Sequence, residues 1–267
     1  MRKLIDRLRR RREQRAVARR AIPDALWQQT LRHYPFLAQR SAEDLAELRR
    51  LSSLFLDGKE FSGAHGLEVS DAMAVAIAAQ ACLPVLRLGL QPYAGFVGIV
   101  VHPDEVQVRR EIVDDDGIVH EYDDVLSGEA VEGGPMMLSW RDVAEGGGTS
   151  AWGYNVVIHE FAHVLDMGDG TANGIPPLPS AAARQHWHEV LMQEYETFCR
   201  AVDGRQGTVL DPYGAEAPEE FFAVASEAFF IAAHDLKAEM PRLYALLAGY
   251  YRQDPADWRR NKPDAPA

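Results

Sequence analysis

His159, Glu160 and His163 are the residues whose types and spacing most clearly promise chemistry, within the run Asn155-Val156-Val157-Ile158-His159-Glu160-Phe161-Ala162-His163-Val164-Leu165-Asp166. Four residues apart on a helix, His159 and His163 share a face and can put two imidazole nitrogens on one zinc ion, while Glu160 projects beside the water that the ion activates. This is the H-E-x-x-H arrangement, and the composition of the chain gives about 0.02 accidental matches to it. The apolar neighbours say that this helix is buried on most sides, where an unpaired polar group is costly. Asp166 falls on the metal-facing side, three residues after His163. It can orient a ligand histidine or simply end the helix as a C-terminal-turn acid.

A catalytic zinc takes a third protein ligand and keeps a fourth position for water. The candidates lie between Asp211 and Glu227, where Pro218 suits a first helical turn and Glu219 and Glu220 open an otherwise apolar helix. Spacing alone does not choose among Glu219, Glu220 and Glu227. Glu220 and Glu227 share a helix face, and Glu219 reads equally well as a solvated first-turn acid. His186 and His188 point in different directions on a helix, and His33, His65, His102, His120 and His234 have no partner at ligand spacing, so none is assigned a function.

The elements that must position these groups follow from periodicity. Residues 21 to about 90 read as helical, with Ser41 and Ser70 as N-caps and a loop marked by Gly58, Gly63 and Gly66. Phe96 to Val101 reads as a strand, Val106 to Ile112 as its neighbour, and Ile118 to Tyr122 as a further short strand after an acidic turn at Asp114 to Gly117. Gly134 to Trp140 reads as an edge strand because of Pro135, and an edge there offers an extended peptide a place to pair. The Gly-rich connections at 128–134 and 146–148 leave room for a gating loop. Helices are expected over about 152–166, 180–203, 218–233 and 239–251. Strands gathered in the middle with helices after them predict an α+β fold, mostly helical with a small mixed sheet beside the H-E-x-x-H helix.

The chain has 267 residues, 47% of them hydrophobic, with 28 Lys+Arg against 40 Asp+Glu. That composition excludes global disorder and suits one domain over residues 21–260, between a basic N-terminal tail (1–20) and a short C-terminal tail (261–267). Residues 1–20 carry a net +8, which leaves the remainder at -20. So acidic a body repels nucleic acid and anionic lipid, and any such contact falls to the tail, which is expected to be solvated and partly frayed. No stretch is long and apolar enough to span a membrane, and no apolar segment follows the basic start as in a secretory signal. Cys82 and Cys199 form no disulfide framework, which favours a reducing, cytoplasmic setting.

The segments KEFSGAHGLEVSDAMAVAIAAQACLPVL (Lys59 to Leu86), GEAVEGGPMMLSW (Gly128 to Trp140), NVVIHEFAHVLDMGDGTANGIP (Asn155 to Pro176) and EEFFAVASEAFF (Glu219 to Phe230) resemble the Mlc titration factor A (MtfA) family. These are zinc metallopeptidases of the gluzincin type, related to the catalytic domain of anthrax lethal factor. The resemblance covers roughly residues 54 to 255 and implies a zincin-like domain holding one zinc ion per chain. It implies that Glu220 is the third ligand beside His159 and His163, that Tyr213 faces the metal, and that Glu227 supports the ligands. Glu160 and Tyr213 are then the catalytic pair, acting on a peptide or protein substrate, with an aminopeptidase-like activity among the readings. The family is also linked to glucose uptake through a transcriptional repressor. The alternative reading is therefore a binding protein that sequesters such a repressor, with a weak or regulatory peptidase activity.

Overall fold

The computed structural model describes residues 2–113, 119–126, 128–130, 134–146 and 153–258. Helices α1 (Arg2–Arg19), α2 (Asp24–His33), α3 (Ala42–Gly58) and α4 (Asp71–Cys82) come first, with strand β1 (Glu60–Gly63) between α3 and α4. The expected serine caps are present: Ser41 Oγ accepts from Asp44 N at 3.1 Å, and Ser70 Oγ accepts from Met73 N at 3.3 Å. From Met73 onward α4 is buried on almost every side, which its alanine-rich sequence permits by letting neighbours approach closely.

The strands are β2 (Gly98–His102), β3 (Val106–Val113), β4 (Val119–Leu126), β5 (Gly128–Ala130) and β6 (Met136–Ser139). Four of them form a mixed sheet in the order β1-β2-β6-β5, parallel except for the antiparallel β5–β6 pair. This is the small mixed sheet expected, with three differences in its assembly. Residues 60–63, expected as loop, are strand β1 against β2 in the register Phe61↔Ile99. Strand β3 does not neighbour β2; it pairs with β4 in a separate antiparallel ribbon. Finally, β6 is not an edge, since β2 lies on one side of it and β5 on the other. Pro135 stands just before β6 and removes no ladder bond from it, so the proline does not force an edge position. Among the described residues, the outer strands of this sheet are β1 and β5. The acidic turn at Asp114 to Gly117, residues 131–133 of the first Gly-rich stretch, Gly147 and Gly148 of the second, and the 261–267 tail lie outside the described residues.

After β6 come α5 (Trp140–Glu145), α6 (Val156–Asp166), α7 (Ala181–Asp203), α8 (Pro218–Ile231), α9 (Ala233–Glu239) and α10 (Pro241–Tyr251). Helix α6 carries the H-E-x-x-H segment and runs through the centre of the core. Phe161 on its far side meets Tyr93 at 4.8 Å and Phe55 at 5.6 Å between ring centroids. Helix α8 packs along α6, and its own core side, Phe221, Phe222 and Phe229, is anchored by Phe198, Trp187, Tyr244 and Tyr251. Two buried helices fixed against each other in this way present their remaining polar residues at a defined mutual position.

The basic N-terminal segment, expected as a solvated and partly frayed tail, is helical over Arg2–Arg19, and residues 11–20 are mostly exposed as a solvated segment would be. Its C-terminal half docks on α3: Arg19 donates two hydrogen bonds to Asp57, at 2.8 and 2.7 Å, and Ala16 is buried. Among the described residues no helix is long and apolar enough to cross a membrane. Cys82 and Cys199 are both free.

Candidate metal centre

Asn155 starts α6 and fixes its setting. Its Oδ1 accepts from Ile158 N at 2.9 Å, its Nδ2 donates to Gln80 Oε1 of α4 at 2.6 Å, and its backbone N–H donates to the Glu227 carboxylate of α8. The helix N-terminus is thus tied to both of its neighbours in the core. Sequence reasoning assigned neither Asn155 nor Gln80 a role. The signals were an N-cap residue directly before an apolar run and one amide in an otherwise apolar helix.

The helix setting brings His159 and His163 together with ring centroids 4.8 Å apart and their Nε2 atoms separated by 3.2 Å. From the first turn of α8, Glu220 reaches the same point: its Oε2 lies 3.1 Å from His159 Nε2 and 3.4 Å from His163 Nε2. Glu219, its chain neighbour, is not part of the cluster. Two turns further along α8, Glu227 Oε1 lies 2.7 Å from His159 Nδ1. Glu227 is buried, and its other oxygen is occupied by the N–H of Asn155. With Glu227 accepting, the His159 ring proton sits on Nδ1, and Nε2 turns a lone pair toward His163 and Glu220.

Atoms converging in this way share a positive charge, which a proton on His159 Nε2 or a metal ion among the three supplies. Zinc held by imidazole nitrogen and carboxylate oxygen at about 2.0–2.2 Å in a tetrahedron sets its ligand atoms about 3.3–3.5 Å apart. The observed separations of 3.1, 3.2 and 3.4 Å suit that ion. The electrostatics agree. Burial opposes a charge on both Glu220 and His159, yet the histidines hold the Glu220 carboxyl well below the usual carboxylate range. Glu220 and Glu227 in turn raise His159 well above the usual imidazole value, so the pocket draws positive charge toward these atoms.

Glu160, the next residue of α6, is 6% exposed, and burial pushes its carboxyl above the usual range against the pull of the two histidines. Strand β5 crosses directly over it. A Cβ placed on Gly128 would stand 2.6 Å from Glu160 Cγ and Oε1, closer than atoms pack, so glycine at 128 is what lets strand and carboxylate share the space. The sequence marked Gly128 only as the start of a Gly-rich connection with room for a gating loop; residues 128–130 are instead strand β5, and the contact with Glu160, which joins distant parts of the chain, was not legible. Gly128→Ala is expected to displace the Glu160 carboxylate while leaving the three converging donors in place. Any activity that depends on Glu160 should fall by up to about 10²-fold, with metal content unchanged when both are measured on the same preparation.

Tyr213 stands in a single 3₁₀ turn, Pro212–Ala215, with its ring centroid 6.0 Å from that of His159. At 46% exposure it borders the centre from the solvent side.

Asp166 has a different role from the histidine partner that was one of its two expected readings. Its Oδ2 accepts the backbone N–H groups of Asn173 (2.8 Å) and Gly174 (2.7 Å), clamping the chain that leaves α6. Asp166→Ala strips these donors of their acceptor and is expected to destabilise the fold by about 2 kcal/mol in denaturant unfolding. Burial raises the Asp166 carboxyl from 3.8 to about 6. The folded chain then holds this proton more tightly than the unfolded one, so this residue's contribution to stability declines as pH rises from about 4 to 6. Asp166→Asn should lose that slope.

Of the other histidines, His33 Nε2 meets the carbonyl of Ala144 at 3.0 Å. His65 and His102, which have no partner at ligand spacing along the chain, come together in the fold with ring centroids 5.5 Å apart.

A family model described as glucose-regulated metallo-peptidase M90 matches residues 8–252. Among curated proteins, the chain is 39% identical over 229 residues to the Synechocystis protein slr2042, covering 83% of this chain and 81% of that one. It is 36% identical over 236 residues to Mlc titration factor A of Salmonella arizonae, covering 87% and 92%. The identity is again 36%, over 250 residues, to Mlc titration factor A of Pectobacterium atrosepticum, covering 87% and 92%.

Proposed function

The chain belongs to the glucose-regulated metallo-peptidase M90 family, and on that premise we propose that it is a zinc-dependent peptidase in which His159, His163 and Glu220 hold one ion. The observation that carries this reading is the convergence of three donor atoms within 3.1 to 3.4 Å beside a buried glutamate. Zinc held by these three residues would supply a Lewis acid beside the scissile carbonyl and ease the deprotonation of a water near neutral pH. Glu160 takes that water's proton and passes it to the leaving amine, a task served by a carboxyl whose pKa burial has raised. Tyr213 donates its phenol O–H to the oxygen on which charge develops. Glu227 keeps the His159 proton on Nδ1, which leaves Nε2 free for the ion. The substrate is a peptide, or a protein segment in extended form, and short peptides cleaved from the amino end are the first to try.

The relatives' name favours a second role, titration of a transcriptional repressor of the Mlc kind. Such binding would use the protein surface and would not require Glu160. The test of the peptidase reading is elemental analysis together with hydrolysis of a defined peptide mixture. One zinc per chain is expected, with cleavage abolished by chelation and restored by one equivalent of zinc. A zinc-loaded protein that cleaves none of the mixture would overturn the peptidase assignment and leave repressor binding as the function.

A further inference from the structure

We propose that His65 and His102 form a second site for a divalent transition-metal ion, at the end of the β1–β2 pair. His102 is the last residue of β2 and is 9% exposed. Both of its ring nitrogens are buried and neither has a hydrogen-bond partner among the described residues. Native proteins rarely leave a buried ring nitrogen unpaired, and here both nitrogens of one ring are in that state, which points to a ligand that the protein atoms do not supply.

The group facing His102 is a second imidazole, and the chain is shaped to put it there. Strand β1 runs parallel to β2 with Gly63 opposite Val101, so the turn after β1 lies beside the end of β2. That turn closes with Leu67 N donating to Ala64 O at 3.0 Å, and its central residues, His65 and Gly66, have φ of +52° and +82°. Two consecutive left-handed residues make this a type I′ turn, and histidine is among the few non-glycine residues that take up a positive φ readily. The missing Cβ at Gly63 lets the Leu67 carbonyl fold back against β1, where a side-chain carbon would lie 1.8 Å from its oxygen.

Two imidazoles sharing a tetrahedral ion at about 2.1 Å have ring centroids about 5 Å apart. The His65–His102 separation is 5.5 Å, close to the 4.8 Å of His159 and His163. Burial and the neighbouring ring lower the His102 pKa, which keeps its lone pair available at neutral pH. With two imidazoles as protein ligands, the site suits zinc, nickel or copper and not calcium or magnesium, with water completing the coordination. Having two protein ligands where the α6–α8 centre has three, it is the weaker of the two.

The experiment uses the full chain with His163→Ala and Glu220→Ala together, which leaves His159 as the one remaining ligand of the α6–α8 centre, and titrates it with zinc by calorimetry. One equivalent of zinc should still bind, and that binding should be lost when His65→Asn is added. Asparagine accepts the left-handed backbone and brings no imidazole, so the turn is retained. Zinc binding that is absent from the His163→Ala, Glu220→Ala protein, or that persists undiminished when His65→Asn is added, would overturn the proposal. In the otherwise unaltered protein, the ring ¹⁵N resonances of His102 should shift only with the second equivalent of zinc. Resonances that stay fixed through that addition would count against the site in the same way.

Discussion

Glu160→Gln is expected to lower peptide hydrolysis by about 10²- to 10⁴-fold, the usual worth of a positioned proton-transfer group, while zinc content stays that of the unaltered protein. The two halves of this result have separate causes. Glu160 contributes no atom to the converging cluster of His159, His163 and Glu220, so the ion has no reason to leave. Glutamine has the same shape, so it occupies the space beneath Gly128 without the collision that a Cβ on β5 would create. It also removes a carboxyl whose ionised form is disfavoured by burial, so the fold should be as stable as before or slightly more so. What is lost is the ability to accept a proton from water. Repressor binding, if the chain has that second role, should survive in this variant, and the comparison separates a peptidase from a titration factor. Full hydrolysis by a zinc-loaded Glu160→Gln protein would sink the assignment of the base.

Much of this centre was legible in the sequence because its first half is local. His159, Glu160 and His163 sit on one helix, so a spacing of four in an apolar run suffices to place the two imidazoles side by side. The serine caps at 41 and 70 and the Pro218 helix start are local in the same sense. The third donor is not. Glu219, Glu220 and Glu227 are all on α8, and which of them meets α6 depends on how two buried helices are rotated against each other. Spacing left the choice open and the family resemblance pointed to Glu220. In the structure Glu220 Oε2 meets both Nε2 atoms, while Glu227 meets the opposite nitrogen of His159. Strand pairing escaped for a similar reason. The four residues of β1 lie among glycines that read as loop, and β3 read as the partner of β2 because it follows it in the chain. The pairing of β1 with β2 joins strands separated by a whole helix in the chain, and local spacing carries no sign of it. His65 beside His102 follows from the β1–β2 pairing and Gly128 over Glu160 from the β5–β6 pairing, and neither contact is legible in local spacing.

Glu220→Ala should strip the protein of zinc and with it all zinc-dependent hydrolysis, and a control one residue away makes the outcome diagnostic. Glu219→Ala removes the same charge from the same turn of α8 but touches none of the cluster, so it should keep its metal. Any helix-dipole or net-charge effect is common to both variants, and the difference between them isolates the Glu220 carboxylate. The size of that difference can be bounded from Glu227. Replacing Glu227 with Gln perturbs a group that touches only the far nitrogen of His159, and loss of an outer partner of this kind costs about 10–100-fold in metal affinity. Removing a donor that itself lies 3.1 and 3.4 Å from the two imidazole nitrogens must cost more, because it leaves two neutral rings and no anionic ligand to offset the charge of the ion. Competition with a chelator of known affinity should therefore rank Glu219→Ala with the unaltered protein, Glu227→Gln below it, and Glu220→Ala lowest. If Glu220→Ala held zinc as firmly as Glu219→Ala, the third ligand would have to come from elsewhere. The short distances between Glu220 and the histidines would then be a buried ion pair and not a metal centre.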